Sequence, residues 1–197
     1  MSRIGSRRFI IIVAAVCTAI MALAPPIQAQ TRHHLSLGFG YTRLLSSDLK
    51  DSTLGVDFTN AGNGGLAYRY SITPMVDLTI DSDATVSMDT VLGVDLTLRN
   101  SYFGPGVRWY PTAASPRPFL QGNVFLVEEK AEAERGGAKI SNSKSGGGFG
   151  LAGGVDLKAS RLISIPLTVQ YLYGKPADDV SGLGFNVAIA FNFGGNI

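Results

Sequence analysis

The stretch FNVAIAFNF, Phe185–Phe193, indicates the fold class because two kinds of residue alternate along nine positions. Large apolar residues (phenylalanine, valine and isoleucine) hold every second position, and the positions between them hold only asparagine and alanine. A period of two is typical of a β-strand with one apolar face. Soluble sandwiches and membrane barrels both use such strands, so the rest of the chain must distinguish the two.

Seven further segments alternate in the same way, and no segment after residue 30 has a convincing helical period. Together they predict eight strands, an even number. Most are longer than the ~5–6 residues of an average globular strand and match the ~9–11 residues that cross a membrane. The predicted strands are residues 34–45, 64–73, 75–83, 93–110, 117–129, 146–158, 162–174 and 185–193.

The connections between these segments alternate between long and short. Residues 46–61 and 130–145 are long and mostly polar, whereas Pro74 alone separates the second and third segments. Short periplasmic turns and long outer loops are typical of outer-membrane barrels. The sequence therefore predicts an all-β fold, an eight-stranded antiparallel up-and-down transmembrane β-barrel, with both mature termini in the periplasm. Residues 128–139, rich in helix formers, could extend the fifth strand or form helical turns, but a solvated loop is favoured.

The first 29 residues differ from the rest. A start with Arg3, Arg7 and Arg8 precedes sixteen mostly apolar residues and a small-residue exit, the pattern of a signal peptide cleaved after Ala29. An uncleaved anchor is the alternative, but sixteen residues are fewer than the ~20 that span a bilayer. The domain prediction is therefore a signal peptide over 1–29 and a barrel over 30–197.

Removal of the signal peptide changes the charge of the chain. The 17 basic residues become 14 against 15 acidic ones, so nothing favours nucleic-acid binding. Cys17, the single cysteine, leaves as well, so the mature chain is predicted to have no disulfide.

The two faces of each segment fit a narrow barrel in lipid. A sheet in lipid must close to satisfy its backbone, and eight strands enclose an interior that side chains can fill. The apolar rows are therefore predicted to face lipid and the small residues to face inward. Aromatic residues near strand ends are predicted to form girdles at the two membrane interfaces. These are Tyr41, Tyr70, Trp109, Tyr110 and Tyr173, together with Tyr102, Phe119, Phe185 and Phe193.

The chain resembles small outer-membrane β-barrels of the OmpA-barrel, OmpX and OmpW type. The resemblance rests on the signal peptide, the eight strands, and the segments SYFGPGVRWYP (101–111), RPFLQGNV (117–124) and FNVAIAFNF (185–193). The resemblance implies a monomer in the outer membrane of a cell with two membranes, in contact with its lipids and lipopolysaccharide. It also implies that the barrel-assembly machinery reads the terminal aromatics, here Phe191 and Phe193. Members of the family commonly end at the aromatic, whereas this chain continues with GGNI.

Motifs that would indicate catalysis or cofactor binding lack their context. GFGLAG, residues 148–153, matches the G-x-G-x-x-G motif of a dinucleotide-binding loop, but it leads into a predicted strand and not into a helix. His33 and His34, the only histidines, point to opposite faces of a strand and cannot easily share a metal. A barrel enzyme acting on lipid A would need a general base near the outer rim. No cofactor, no metal and no catalytic residue are therefore predicted.

Charged residues at inward positions are the best candidates for a functional site. They are expected to pair, because an unpaired buried charge costs several kcal/mol. We expect Arg69 and Arg108 to flank Asp77 on neighbouring strands. A plug inside the barrel is favoured over a path for solutes or protons. The predicted network consists of Arg69, Asp77, Arg108, Asp156 and Lys158.

These observations favour a non-enzymatic outer-membrane barrel that serves envelope integrity, surface contact or adhesion. The alternative is a narrow channel or transporter for small or hydrophobic molecules. Weaker alternatives are a barrel enzyme acting on lipid A and a soluble periplasmic barrel with a ligand inside.

Overall fold

The computed structural model describes residues 33–45, 50–51, 56–112, 115–176 and 179–194. The predicted signal peptide and its cleavage site lie outside these residues. Within the described ranges, no helix is long and apolar enough to cross a membrane.

Eight of the described strands close into a barrel in which every strand is antiparallel to its neighbours, as the alternating segments predict. Successive strands of the barrel pair with each other, and the first pairs with the last. Two very short strands pair separately between the first two barrel strands. The strands are β1 His33–Leu44, β2 Lys50–Asp51, β3 Val56–Asp57, β4 Asn60–Thr73, β5 Val76–Val91, β6 Val94–Trp109, β7 Arg117–Arg135, β8 Ala138–Lys158, β9 Ile163–Lys175 and β10 Val180–Phe193.

The barrel closes where β1 pairs with β10, from His33 opposite Phe193 to Leu44 opposite Gly182. The first residue of β1 and the last residue of β10 therefore lie at the same end of the barrel. We call this the proximal end and the opposite one the distal end. The connections at the proximal end follow β4, β6 and β8.

The distal connections are shorter than the sequence suggested. Residues 84–91 and 130–145, taken as parts of loops, belong mostly to β5, β7 and β8. Two-residue turns at Leu92–Gly93 and Gly136–Gly137 join the strands, with positive φ at all four positions. Both residues of a type I′ hairpin turn need such angles. Residues 128–135 thus extend β7, Gly136–Gly137 form the turn and residues 138–139 begin β8, so the interpretation as a solvated loop was wrong.

The extended strands project beyond the apolar part of the barrel wall. On β7 the outward positions change from Leu120, Val124 and Leu126 to Glu128 and Lys130. Charged side chains destabilise the lipid face of a barrel, so the residues from Glu128 onward lie outside the hydrocarbon. A β7 extension of eight residues, Glu128–Arg135, spans roughly 25 Å at ~3.3 Å per residue. We call the distal parts of β5, β6, β7 and β8 the protruding sheet.

The wall has the two faces that the alternation predicts. In the opening stretch, Phe185, Ile189, Phe191 and Phe193 are exposed, whereas Ala190 is buried. The exposed row covers the outside of the barrel, the surface that lipid covers in a membrane.

Candidate functional site

Inward side chains fill the lumen in layers, beginning with a charged layer near the proximal end. Arg69, on β4, is completely buried; its Nη1 donates to the hydroxyl of Tyr110 (2.7 Å) and to Oδ2 of Asp156 on β8 (3.2 Å). The Tyr110 hydroxyl in turn donates to Oδ2 of Asp77 (3.1 Å), whose Oδ1 accepts from Ser71 (2.7 Å). This set, the charged layer, joins the neighbouring strands β4 and β5 and the residue that follows β6 to β8 across the lumen.

A second polar group lies next to the charged layer. Nε of Arg108 donates to Oε1 of Gln121 (2.6 Å), and the guanidinium stacks on the ring of Phe119 (3.9 Å to the centroid). Gln121 donates to Asp81 (2.6 Å), which also accepts from Asn123. The carboxylate of Asp81 is thus held by neutral amides.

The structure places four of the five predicted network residues in the lumen but pairs them differently. Asp77 lies opposite Arg108 in the β5–β6 register, yet among the described residues neither arginine forms an ion pair with it, because Tyr110 and Ser71 take its oxygens. Arg69 pairs with Asp156 instead. Lys158, at the last position of β8, is exposed because the strand ends at the rim there, so it lies outside the charged layer.

Two groups of predicted girdle aromatics have different positions. Tyr41, Tyr70 and Trp109 are exposed on the outer wall, and Tyr173 is half-buried there. Tyr102, Tyr110 and Phe119 are buried in the lumen, so their assignment to the girdle was wrong. Strand parity could have revealed this, because each adjoins an outward residue, Phe103, Trp109 or Leu120, and neighbours on a strand face opposite ways.

An apolar layer fills the lumen on the distal side. Tyr102, Phe125, Val127 and Leu172 pack together, with the Tyr102 and Phe125 rings edge to face at 5.8 Å. Glycines opposite them provide the space. A β-carbon on Gly150 would lie 2.6 Å from the Phe125 ring, so the glycine face of β8 accommodates the bulk of β7. Sequence reasoning treated the large residues as outward only, and so missed this layer.

A smaller cluster lies nearer the distal mouth. Leu44, Ala61 and Leu98, from β1, β4 and β6, are buried together, and Phe58 packs against them. Phe58, which follows β3, therefore covers part of the mouth.

A cavity of about 70 Å³ lies between the second polar group and the apolar layer. This volume suffices for a few water molecules. Its wall includes Asp81, Asp83, Arg108, Gln121, Asn123, Gln170 and Asn186, with glycines and alanines between them. We call this cavity the chamber.

The two histidines face opposite ways, as expected for neighbours on a strand. The ring of His33 lies outside, stacked on Phe193 at 5.7 Å. His34 lies inside, with Nδ1 bonded to Asn192 (2.5 Å) and Nε2 3.2 Å from Oγ of Ser71. Ser71 donates its proton to the carboxylate of Asp77 and accepts from His34, so His34 does not act as a base towards this serine. Within the described part of the chain, no three His, Cys, Asp or Glu side chains come together as metal ligands.

Ion pairs organise the outward face of the protruding sheet. Glu132 bonds to Lys130 (2.6 Å) on its own strand and to Lys139 (3.0 Å) across the β7–β8 hairpin. Hydrogen bonds from Lys130 and Lys139 hold the pKa of Glu132 below its usual value. The carboxylate therefore stays charged and continues to link the two strands at mildly acidic pH.

The backbone ladder is interrupted at two prolines. The β6–β7 pairing skips two pairs at Pro105, and the β9–β10 pairing skips two at Pro166. Proline has no N–H to donate to a ladder. Paired residues continue on both sides of each interruption.

This ring of eight antiparallel strands with an apolar outer face and a filled lumen is the fold of the small eight-stranded outer-membrane β-barrels. No family model and no curated protein matches the sequence.

Among solved structures, the chain is similar to Ail, the attachment invasion locus protein of Yersinia pestis, in complex with the heparin analogue sucrose octasulfate. The two sequences are 16% identical, the match covers 83% of this chain and 99% of Ail, and the TM-score is 0.61. It is similar to Neisserial surface protein A with 16% identity over 82% and 97% of the two chains, at a TM-score of 0.62. It is also similar to OprG of Pseudomonas aeruginosa, with 10% identity over 84% and 96%, at a TM-score of 0.52. At such identities the likeness concerns the fold.

Proposed function

We propose that this chain is a non-enzymatic protein of the outer membrane whose barrel is closed to solutes and whose protruding sheet makes contacts at the cell surface. The observation that supports this best is the combination of a filled lumen with strands that extend far beyond the apolar wall. With the protruding sheet at the cell surface, the proximal end and both termini face the periplasm.

Layers of side chains support the closed barrel. A solute entering from the proximal end would have to displace the buried pair of Arg69 and Asp156, and breaking such a pair is strongly unfavourable. From the distal end it would meet Tyr102 and Val127, both about 1% exposed. Neither layer leaves room for a hydrated ion without rearrangement.

The protruding sheet supports the role in surface contact. The β7–β8 hairpin is exposed along residues 138–145 and carries serines at outward positions 141, 143 and 145. Ail, which is named for attachment and invasion, shares the fold, and this supports the proposal by likeness of fold alone. Lipopolysaccharide and the outer leaflet are the partners expected next to the wall.

The sheet can be tested by shortening it. Deletion of residues 131–133 together with 140–142, which face one another in the register, removes part of the hairpin and keeps its Gly136–Gly137 turn. Cells producing the shortened barrel should adhere to surfaces less than cells with equal amounts of wild-type barrel, and both proteins should show the same heat-dependent shift on a gel. Equal adherence by the two strains would contradict the role in surface contact.

A narrow channel is the second candidate, and the chamber is the observation that favours it. A channel would need the charged and apolar layers to move apart. A side opening for hydrophobic molecules would need a longer break in the wall than the two skipped pairs at Pro105 or Pro166.

A further inference from the structure

The tip of the β5–β6 hairpin carries the most exposed large apolar side chain of the described residues. Leu92 is 88% exposed, ahead of Ile140 at 76% and Met88 at 74%, which also lie on the protruding sheet. Elsewhere in the described ranges no large apolar side chain is more than 66% exposed, even on the wall that lipid covers. A leucine held in water at the end of a hairpin gains no free energy from burial, so packing does not explain its presence.

The backbone at this tip is also unfavourable for leucine. Leu92 has φ of 52°, a conformation that costs little for glycine or asparagine and more for a branched side chain. The other short distal turn, Gly136–Gly137, uses glycine at both such positions. Conformational strain that the fold does not require is typical of functional positions. Leu92 is therefore a candidate for a contact residue.

The tip lies well outside the lipid. On β6 the outward residues change from Phe103 to Arg99, and charged side chains destabilise the lipid face, so the strand beyond Arg99 lies outside the hydrocarbon. The six residues Val94–Arg99 span roughly 20 Å along the strand, or roughly 15 Å in height at a tilt of ~40°. The headgroup region adds only about 5–8 Å to the hydrocarbon on each side. The leaflet that holds the barrel therefore does not cover Leu92.

Carboxylates surround the tip. Residues 87–98 include Asp89 and Asp95 and no basic residue. The backbone N–H of Asp57 donates to Oδ2 of Asp89 (2.9 Å), so a third carboxylate lies beside the hairpin. Arg135, at the end of β7, is the first base that the β6–β7 register brings near the tip, and the three carboxylates outnumber it. The surface around Leu92 is thus negatively charged.

We propose that Leu92 is the anchor by which the barrel binds a protein whose surface has an apolar pocket with a rim of lysine or arginine. Leu92 fills the pocket, and Asp89 and Asp95 face the rim. Protein interfaces concentrate their binding energy in such anchors, surrounded by weaker polar contacts, and complementary charge adds specificity. The inference rests on the surface contact proposed above and specifies the chemistry of the partner.

Two other occupants fit the tip less well. A lipid surface that contains anionic lipids attracts basic segments and repels carboxylates such as Asp89 and Asp95. Two copies of the barrel that met tip to tip would bring the same carboxylates together, and like charges at an interface are unfavourable.

The test measures adherence of cells to plates coated with random copolymers of lysine and leucine, lysine and serine, or glutamate and leucine. The first coating combines the cationic and apolar groups of the proposed partner, and each of the others lacks one of them. Adherence of cells without the barrel is subtracted. Barrel-dependent adherence should be greatest on lysine and leucine. Equal adherence on glutamate and leucine would overturn the proposal and would indicate apolar contact without a charge requirement, as with a lipid surface.

A variant separates binding from stability. Leu92→Asn removes the apolar side chain and suits the positive φ, so the turn is not weakened. Barrel-dependent adherence to lysine and leucine should fall about tenfold, the effect of removing an interface anchor. Leu162→Asn, the same change at an exposed position between β8 and β9 at the proximal end, is the matched control and should adhere like wild type. Both variants are compared at equal amounts of folded barrel.

The outcomes separate this inference from the surface role itself. Undiminished adherence of Leu92→Asn would overturn the inference, and so would clumping of suspended cells that Leu92→Asn abolishes, because the occupant would then be a second copy. The barrel with the shortened β7–β8 hairpin is measured on the same plates. If that barrel alone loses adherence, the surface role stands and the inference fails. If neither loses adherence, the surface role fails as well.

Discussion

Arg69 shows how a single residue can hold a charge in the centre of a narrow barrel. Its guanidinium is completely buried and is compensated by one carboxylate, Asp156, and one phenol, Tyr110. The Tyr110 hydroxyl accepts from Arg69 and donates to Asp77. It therefore links the guanidinium to a carboxylate with which Arg69 forms no direct ion pair. Hydrogen bonds to charged groups are the stronger ones, about 1.5–3 kcal/mol each.

Replacing Tyr110 by phenylalanine tests this residue. Tyr110→Phe keeps the ring that meets Phe119 edge to face and removes both hydroxyl contacts. Because two hydrogen bonds to charged groups are lost, we expect a decrease of at least ~3 kcal/mol in the free energy of unfolding, measured by urea titration of the barrel in lipid vesicles. Tyr70→Phe, on the outer wall, serves as the matched control and should change stability by less than ~0.5 kcal/mol. Equal small effects at both positions would contradict the assignment of Tyr110 to the charged layer.

At the scale of single residues, the sequence predicts which face of a strand a side chain occupies but does not predict which other side chains it contacts. The inward positions of Arg69, Asp77, Arg108 and Asp156 follow from alternation along their strands. Which inward groups meet depends on the barrel's shear and on side-chain reach, which one sequence does not show. The pairing of Arg69 with Asp156, 87 positions away, is of this kind.

At the scale of elements, the turns at the distal end determine how far the strands extend. Gly136–Gly137 suits a type I′ turn because glycine adopts positive φ without strain. At the other short turn, Leu92 holds φ of 52° next to Gly93, which is unfavourable for a residue with a branched side chain. Leu92 is also 88% exposed, so it gains little from burial.

Leu92→Asn should therefore stabilise the β5–β6 hairpin. Asparagine tolerates positive φ and forms the favoured Asn-Gly turn, so we expect a gain of up to about 1 kcal/mol in the free energy of unfolding. Leu92→Ala removes the same exposed apolar surface without this backbone preference and should give no comparable gain. Similar gains for both variants would show that exposed surface, and not the turn, is responsible.

The seam between β1 and β10 gives a second prediction at this scale. Phe191 and Phe193 are predicted to serve as the assembly signal, and Phe193 also stacks on His33 across the seam. Phe193→Ala should lose about 0.5–1.5 kcal/mol of aromatic contact and should slow insertion by the assembly machinery. Phe185→Ala removes an equally exposed phenylalanine of the same strand and is the control. Equal folding yields in cells for the two variants would contradict a special role for the terminal aromatic.

The sequence predicted the elements in the membrane better than those outside it. Inside the hydrocarbon each strand must place apolar residues outward, so alternation marks it. In the β7–β8 hairpin beyond Glu128 both faces are largely exposed to water, and residues such as Glu132, Ser141 and Lys139 show no alternation even though they are paired in strands. The polar composition of 130–145 was therefore interpreted as a loop.

At the scale of the whole molecule, closure of the ring and filling of the lumen have a common cause. Eight strands enclose so little space that inward side chains reach across it, and Gly148 and Gly150 of β8 and Gly174 of β9 leave room for the bulk of Phe125 and Val127. The result is a rigid wall that carries the protruding sheet. The chamber is the part of the lumen that the layers leave open.

Conductance of the purified barrel in a planar lipid bilayer tests the closed lumen most directly. With wild-type protein in 1 M KCl we expect no discrete current steps, because the charged layer and the apolar layer together block the passage of hydrated ions. Recordings should use preparations whose gel shift on heating shows that the barrel is folded. Reproducible single-channel steps from such preparations would contradict a closed barrel and would favour the narrow channel.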